Sequence, residues 1–258
     1  MRVISICPSN TELLDYLGKV DTLIAVDDFS DYPERVKQLP KVGPDLSIDV
    51  DKIAAMGPDL VLASLSVPGM EKNIEALDKR GVPYIILNPN SLEEIAKDLE
   101  TTGAAIGEEA LGKQKALQFK NETASFRLAM ASSYRPSLYW EWWPKPVFTP
   151  GRENWLTEIS ELAGARNIFD SEAEASVQTN WEEVRSRNPD HICLVWVGIQ
   201  EQKMRPELIK KRPGWNELDA VRQNRIHVLP ESLFCRPSPR LLFGLEKLNK
   251  ILVKEQSL

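Results

Sequence analysis

Short apolar runs alternate along the chain with longer segments in which apolar side chains recur every three or four positions. The runs read as strands and the segments as amphipathic helices. In the first half this predicts strands over 2–7, 23–26, 60–63 and 84–87, and helices over 11–17, 49–56, 70–80 and 91–106. Ser9 or Asn10 is expected to cap the first helix and Gly18 to stop it, while Ser91 and Glu94 stand at capping-box spacing. From 108 to about 131 the residues are strong helix formers with no proline, and one long helix is expected. The second half repeats the grammar. Strands are predicted over 137–142, 191–197 and 225–229, with helices over 155–162, 181–187 and 205–211 and a last helix running to about 253. Proline-rich loops are expected through Gly151 and from Pro230 to Pro239.

One segment occurs twice. Asp51-Lys52-Ile53-Ala54-Ala55-Met56-Gly57-Pro58-Asp59-Leu60-Val61-Leu62 is echoed by Glu182-Glu183-Val184-Arg185-Ser186-Arg187-Asn188-Pro189-Asp190-His191-Ile192-Cys193. Each copy is an acidic residue opening a short helix, a Pro-Asp turn and an apolar strand. Two distant copies suit corresponding parts of two similar α/β lobes, not a solenoid. Strands alternating with helices imply mostly parallel sheets. The expected architecture is α/β, with two Rossmann-like lobes: 1–107, a linker helix over 108–133, and 134–258. Two lobes imply a cleft, where a ligand is to be sought.

Composition narrows the function. A chain of 258 residues with 42% apolar residues can bury a full core, and its net charge of −6, without a basic run, argues against nucleic acid as a partner. The first apolar run is too short for a secretion signal and none is long enough to span a membrane. The location is then periplasmic or cell-surface if a leader has been removed, and cytoplasmic if Met1 is the native start. Three cysteines without metal or redox spacing read as free, mostly buried thiols. His191 and His227 are the only histidines and are not ligand-spaced, so no metal site is expected.

Gly107-Glu108-Glu109-Ala110-Leu111-Gly112-Lys113 has the glycine spacing of a phosphate-binding loop, but Gln114 replaces the Ser/Thr that would hold magnesium. It reads as the start of the linker helix. Nothing calls for catalysis, and no catalytic residue is assigned. The aromatics are more pointed, with Tyr139, Trp140, Trp142, Trp143 and Phe148 falling together among prolines. In a strand Trp140 and Trp142 share one face and Tyr139 and Glu141 the other. Trp143 and Phe148 suit either packing or a ligand, and the later loop offers Phe234 and Arg236. Asp51 and Glu182, at equivalent places in the repeat, either compensate a helix dipole or form a two-point docking pattern for a partner with two basic sites.

Arg2-Val3-Ile4-Ser5, Pro8-Ser9-Asn10-Thr11-Glu12-Leu13, Ser30-Asp31-Tyr32-Pro33, Pro58-Asp59-Leu60-Val61, Phe148-Thr149-Pro150-Gly151, Ala163-Gly164-Ala165-Arg166-Asn167-Ile168-Phe169 and Ser238-Pro239-Arg240 follow one another in an order and spacing that resembles a known family. It is that of the helical-backbone substrate-binding proteins of ABC importers for cobalamin and ferric siderophores. The resemblance runs from residue 2 to about 253. It implies a non-catalytic, monomeric protein that holds a corrinoid as ligand, with no cofactor, and docks onto an importer permease through one acidic residue per lobe, here Asp51 and Glu182. Ligand-facing positions carried over by motif are Phe29, Phe148 and Arg236, with Pro8, Ser9 and Asn10 lining the cleft floor; Trp142, Trp143 and Phe234 are expected to add aromatic contact. Cobalamin-binding members place aromatics where this chain has Asp45, Ser64 and Ser176. A ferric-siderophore or haem ligand, and a cytoplasmic corrinoid-binding or chelatase-like enzyme, are the alternatives. Zinc- or manganese-binding relatives use several histidines, which this chain does not have.

Overall fold

The computed structural model describes residues 1–129 and 135–256. It divides into two units, Met1–Lys120 and Asn121–Leu258. Unit 1 contains β1 (Val3–Ser5), α1 (Pro8–Tyr16), β2 (Leu23–Val26), α2 (Val50–Met56), β3 (Leu60–Ala63), α3 (Glu71–Arg80), β4 (Tyr84–Ile86) and α4 (Leu92–Ala105). The long helix α5 (Glu109–Ala129) crosses the division. The last residues expected in the linker helix, 130–133, lie outside the described residues. Unit 2 contains β5 (Ser137–Glu141), β6 (Trp143–Pro144), β7 (Val147–Pro150), α6 (Trp155–Leu162), β8 (Arg166–Asn167), β9 (Ser176–Thr179), α7 (Trp181–Arg187), β10 (His191–Leu194), α8 (Pro206–Lys210), α9 (Asp219–Arg222), β11 (Ile226–Val228), α10 (Glu231–Phe234) and α11 (Leu241–Gln256).

Each unit holds a four-stranded parallel sheet with the same connectivity, β2-β1-β3-β4 in unit 1 and β8-β5-β10-β11 in unit 2. The central strands β1, β3, β5 and β10 are buried along their whole length, as parallel strands covered on both faces must be. Ile4, Val61, Ile53 and Leu77 belong to one apolar cluster in unit 1, and Tyr139, Ile192, Val184 and Trp215 to another in unit 2.

The repeated segment has one structure in two places. Asp49 caps α2 by accepting the Lys52 N–H, and Asn180 caps α7 by accepting those of Glu182 and Glu183. Each helix ends on a left-handed residue, Gly57 at φ 58° and Asn188 at φ 45°. The following Pro-Asp then fastens two strands together. Asp59 Oδ2 accepts the Arg2 N–H at 2.6 Å while the Asp59 N–H donates to the Arg2 carbonyl at 2.8 Å. Asp190 does the same to Ser137, at 2.8 Å and 3.0 Å. Val3 thereby faces Leu60, and Leu138 faces His191.

Two departures from the sequence expectation have physical causes. Helix α1 begins at Pro8, three residues early, because proline is pre-organised for the first helical position; Ser9 and Asn10 therefore sit inside the helix and cap nothing. The expected loop before Gly151 is a three-stranded antiparallel sheet, β6-β7-β9. The phosphate-loop-like spacing is a helix–helix turn as expected: a Cβ on Gly103 of α4 would lie 2.6 Å from the Gly112 Cα of α5, so both glycines allow a close backbone approach.

Cys7 and Cys193 are buried, Cys235 is half-buried, and all three are free thiols. Burial pushes the Cys7 thiol up to about 11 and raises that of Cys235, whose Sγ lies 3.1 Å from the Val195 carbonyl. His191 Nδ1 and His227 Nε2 lie 3.1 Å apart on adjacent strands with their rings stacked. Burial pulls both imidazoles down to about 4, helped by their mutual repulsion at His191 and by Arg225 at both, with Asp190 opposing at His191. Because the folded values lie below the ordinary 6.5, the unfolded chain binds more protons from about pH 6.5 down to about 4. Stability from this pair is whole above that window and falls through it, by up to about 1.4 kcal/mol per pH unit for each proton. Urea unfolding from pH 7.5 to 4 is expected to show this slope, and His227→Phe to flatten it. An equal slope in the variant would assign the acid sensitivity elsewhere.

Candidate functional site

In a sheet of this connectivity the strand order reverses beside the first strand, and the crevice beyond the carboxyl ends there is the favoured place for a ligand. In unit 1 this point is β1/β3. Residues Cys7 to Thr11 follow β1, and Asn10 Nδ2 donates to the Ala63 carbonyl at the end of β3 at 2.9 Å, which sets Pro8-Ser9-Asn10, the first turn of α1, beyond the carboxyl ends of these two strands. Asn10 and Ser9 are almost fully buried, Ser9 with its Oγ 3.2 Å from Cys7 Sγ, and Pro8 is half-buried. A chain of hydroxyls continues from here. Thr11 Oγ1 donates to Ser5 Oγ at 2.9 Å and lies 2.8 Å from Ser30 Oγ, which in turn donates to Asp27.

Asp27 is fully buried just past β2, and burial raises its carboxyl against the opposing hydrogen bonds of Ser30 and Phe29 and the charge of Lys41. Its Oδ2 accepts the N–H groups of Phe29 and Ser30 at 2.8 and 3.1 Å. That turn directs Phe29 outward, where it is 52% exposed, as a ligand-facing aromatic needs to be. Lys41 donates to the carbonyls of Asp27 and Ser30, and burial lowers its ammonium. Asp45 is half-buried on the loop that follows, its carboxyl raised by burial.

In unit 2 the equivalent point is β5/β10, and the chemistry is different. Glu141, at the end of β5, has no exposed surface. Arg212 grips it with two bonds of 2.6 and 2.8 Å, Trp196 Nε1 donates to Oε1 at 3.0 Å and the Tyr139 hydroxyl to Oε2 at 2.9 Å. The Arg212 guanidinium lies 4.6 Å from both the Trp181 and Trp215 ring centroids. Burial, then the Glu141 charge, raises the Tyr139 hydroxyl well above its ordinary value.

Beyond Glu141 the hairpin β6–β7 sets Trp143 directly opposite Phe148, and β9 sets Gln178 opposite Phe148. Directly paired residues share a face of a sheet, so the three form one row. Trp143 is 41% exposed with its Nε1 donating to the Lys145 carbonyl, Phe148 is half-buried and Gln178 is exposed. Trp142, between β5 and β6, packs against Trp155 with the ring centroids 5.8 Å apart and the planes tilted by 37°, and is half-buried. Phe234 is a correction: α10 turns it fully inward, 5.4 Å from Trp140, so it is a core residue. Arg236 is mostly covered and paired with Glu231 at 3.3 Å. Trp196 and Gln178 went unnoticed in the sequence, the first because it read as the tail of a strand and the second because β9 has no apolar run.

Asp51 and Glu182 are each the second residue of their helix and both are exposed. Asp51 is ion-paired with Arg80 of α3, at the edge of a surface cavity of about 340 Å³ lined also by Asp49, Ala76 and Lys79. Among the described residues no group of three or more His, Cys, Asp or Glu side chains could hold a metal, and no helix is long and apolar enough to cross a membrane.

A model of the periplasmic binding protein family matches residues 3–233. The chain is 30% identical over 242 residues, 93% of its length and 85% of the relative's, to the vitamin B12-binding protein of Vibrio parahaemolyticus. It is 29% identical over 258 residues to an uncharacterised ABC transporter substrate-binding lipoprotein of Bacillus subtilis, covering 96% of this chain and 78% of that one. Among solved structures it matches the periplasmic vitamin B12 binding protein of Vibrio cholerae with a TM-score of 0.78 and 26% identity, over 100% of this chain and 98% of the other.

The buried Glu141–Arg212 pair supports the wall that carries these aromatics. Arg212→Ala is expected to cost about 3–5 kcal/mol in urea unfolding, because it strands a buried carboxylate, whereas a joint exchange of both residues for apolar ones costs much less. A loss below about 1 kcal/mol for the single variant would mean that water reaches Glu141.

Proposed function

The chain belongs to the periplasmic binding protein family, and from that membership we propose that it is the substrate-binding component of an ABC importer with a corrinoid as its ligand. The observation that carries the ligand class is the Trp143–Phe148–Gln178 row. An exposed indole and a partly exposed phenyl edged by an amide suit a flat macrocycle fringed with amides, because the rings give area and the amide gives hydrogen bonds. Within unit 1, Phe29 is an exposed aromatic held outward by the Asp27 turn. The relatives named for vitamin B12 support the same reading.

In this reading the protein acts outside the cytoplasmic membrane, as a monomer, and docks onto the importer permease through Asp51 and Glu182. Support for the docking residues lies in their equivalence: two exposed carboxylates, each the second residue of a helix with a side-chain N-cap and a left-handed C-cap. Side-chain capping of the helix ends by Asp49 and Asn180 leaves both acids without a capping task. Family membership supports a transport role over a catalytic one.

Calorimetric titration of the ligand-free protein with cyanocobalamin, haemin and a ferric hydroxamate siderophore tests the ligand class. Tight binding of cyanocobalamin alone is expected; binding of haemin or the siderophore in its place would overturn the corrinoid reading. Trp143→Ala is expected to weaken cyanocobalamin by about 1 kcal/mol or more with folding intact, and unchanged affinity would remove Trp143 from the site. The double variant Asp51→Lys with Glu182→Lys should keep full ligand affinity yet no longer stimulate the importer ATPase in proteoliposomes. Normal stimulation would end the docking assignment.

A further inference from the structure

Resting on the ligand reading above, we propose that Asp45 makes the site selective for a ligand that meets unit 1 with neutral amide donors, and against one that meets it with carboxylates. The loop bearing Asp45 is fastened beside the carboxyl ends of the unit 1 sheet. The Asp28 N–H donates to the Gly43 carbonyl at 2.9 Å, Lys41 bridges to Val26 at the end of β2, and Asn73 Nδ2 donates to the Asp45 carbonyl at 2.6 Å. The side chain is half-buried, and its charge acts on both Cys7 and Asp27, which lie just beyond the ends of β1 and β2.

The groups around it leave acceptors in excess. Lys41, the nearby cation, is committed to the carbonyls of Asp27 and Ser30. Asp27 already receives three donors from Phe29 and Ser30. Ser64, 4% exposed just past β3, donates from its hydroxyl to Ser66 Oγ and accepts the Ser66 N–H. The Asp45 carboxyl already receives the backbone N–H groups of Leu46 and of Asp45 itself, which oppose the burial that raises it; a ligand that covers its remaining lone pairs must supply hydrogen to them, because a covered acceptor without a donor loses its hydration uncompensated. A primary amide does so without carrying charge. A ligand carboxylate instead brings like charges together as both lose water, which is a repulsive element of the kind that sets specificity. Corrin rings are fringed with amides, whereas haem presents propionates.

The test uses dicyanocobinamide and dicyanocobyrinic acid, which share one metallated ring but carry amides and carboxylates respectively. Titrated by tryptophan fluorescence, the wild type should prefer the amide compound by at least about tenfold. Asp45→Asn keeps the shape and an acceptor, so it should bring the acid at least about fivefold closer while cobinamide stays within about threefold. Asp28→Asn removes the same charge from an exposed neighbour and serves as the control; it should leave the ratio unchanged. Equal binding of the two compounds by the wild type, an unchanged ratio in Asp45→Asn, or an equal shift in the control would each overturn the inference and leave the corrinoid reading standing. Failure of both compounds to bind would overturn the inference and the corrinoid reading together.

Discussion

A carboxylate placed after a proline determines where everything else in each unit falls. Asp59 and Asp190 each take the N–H of the residue that leads into the first strand and give their own N–H to the same residue's carbonyl. A pair of bonds of this kind fixes register, and one of them is charge-assisted. With the first and third strands locked, the residues that leave their carboxyl ends are locked too. Asn10 reaches the Ala63 carbonyl, and Glu141 stands next to Val195 and Trp196, because the strands beneath them cannot slip.

The same frame holds two kinds of chemistry. Unit 1 presents hydroxyls and carboxyls, with a single aromatic held outward by a buried aspartate. Unit 2 presents aromatics, braced by a carboxylate–guanidinium pair. Such a pair is expensive to bury, and the cost is offset only when the remaining lone pairs and protons find partners. Here Trp196 and Tyr139 complete the carboxylate, and two indole faces cover the guanidinium. The pair fixes the orientation of aromatic side chains more than it adds stability, which suits a surface that must be ready before the ligand arrives.

What the sequence made legible follows from signal strength. Apolar runs such as Leu60-Val61-Leu62-Ala63 stand out because both faces are buried, and the two copies of the acidic helix with its Pro-Asp turn locate Asp51 and Glu182 without any structure. The sheet β6-β7-β9 was illegible because its strands are two to four residues long and Pro144, Pro146 and Pro150 mimic a loop. That hidden sheet pairs Trp143 with Phe148 and brings in Gln178, so the heart of the candidate site depended on non-local pairing. Phe234 failed for a related reason. An aromatic among prolines reads as exposed, and only the turn of helix at Glu231–Phe234 reveals that it points inward. Ser9 and Asn10 were expected to cap the first helix and instead lie within it, since Pro8 took the helix start.

The covered thiols bear on the chemistry that the chain can survive. At neutral pH a thiol pushed up to about 11 is ionised in roughly one molecule in ten thousand, about three hundredfold less than an ordinary cysteine, and the thiolate is the species that attacks oxidants, disulfides and maleimides. Cys193 is sealed within β10 and Cys235 is raised in the same sense as Cys7. An odd number of cysteines would otherwise invite covalent dimers in an oxidising milieu. The native chain instead approaches a cysteine-free background, on which one introduced surface cysteine can carry a fluorophore alone.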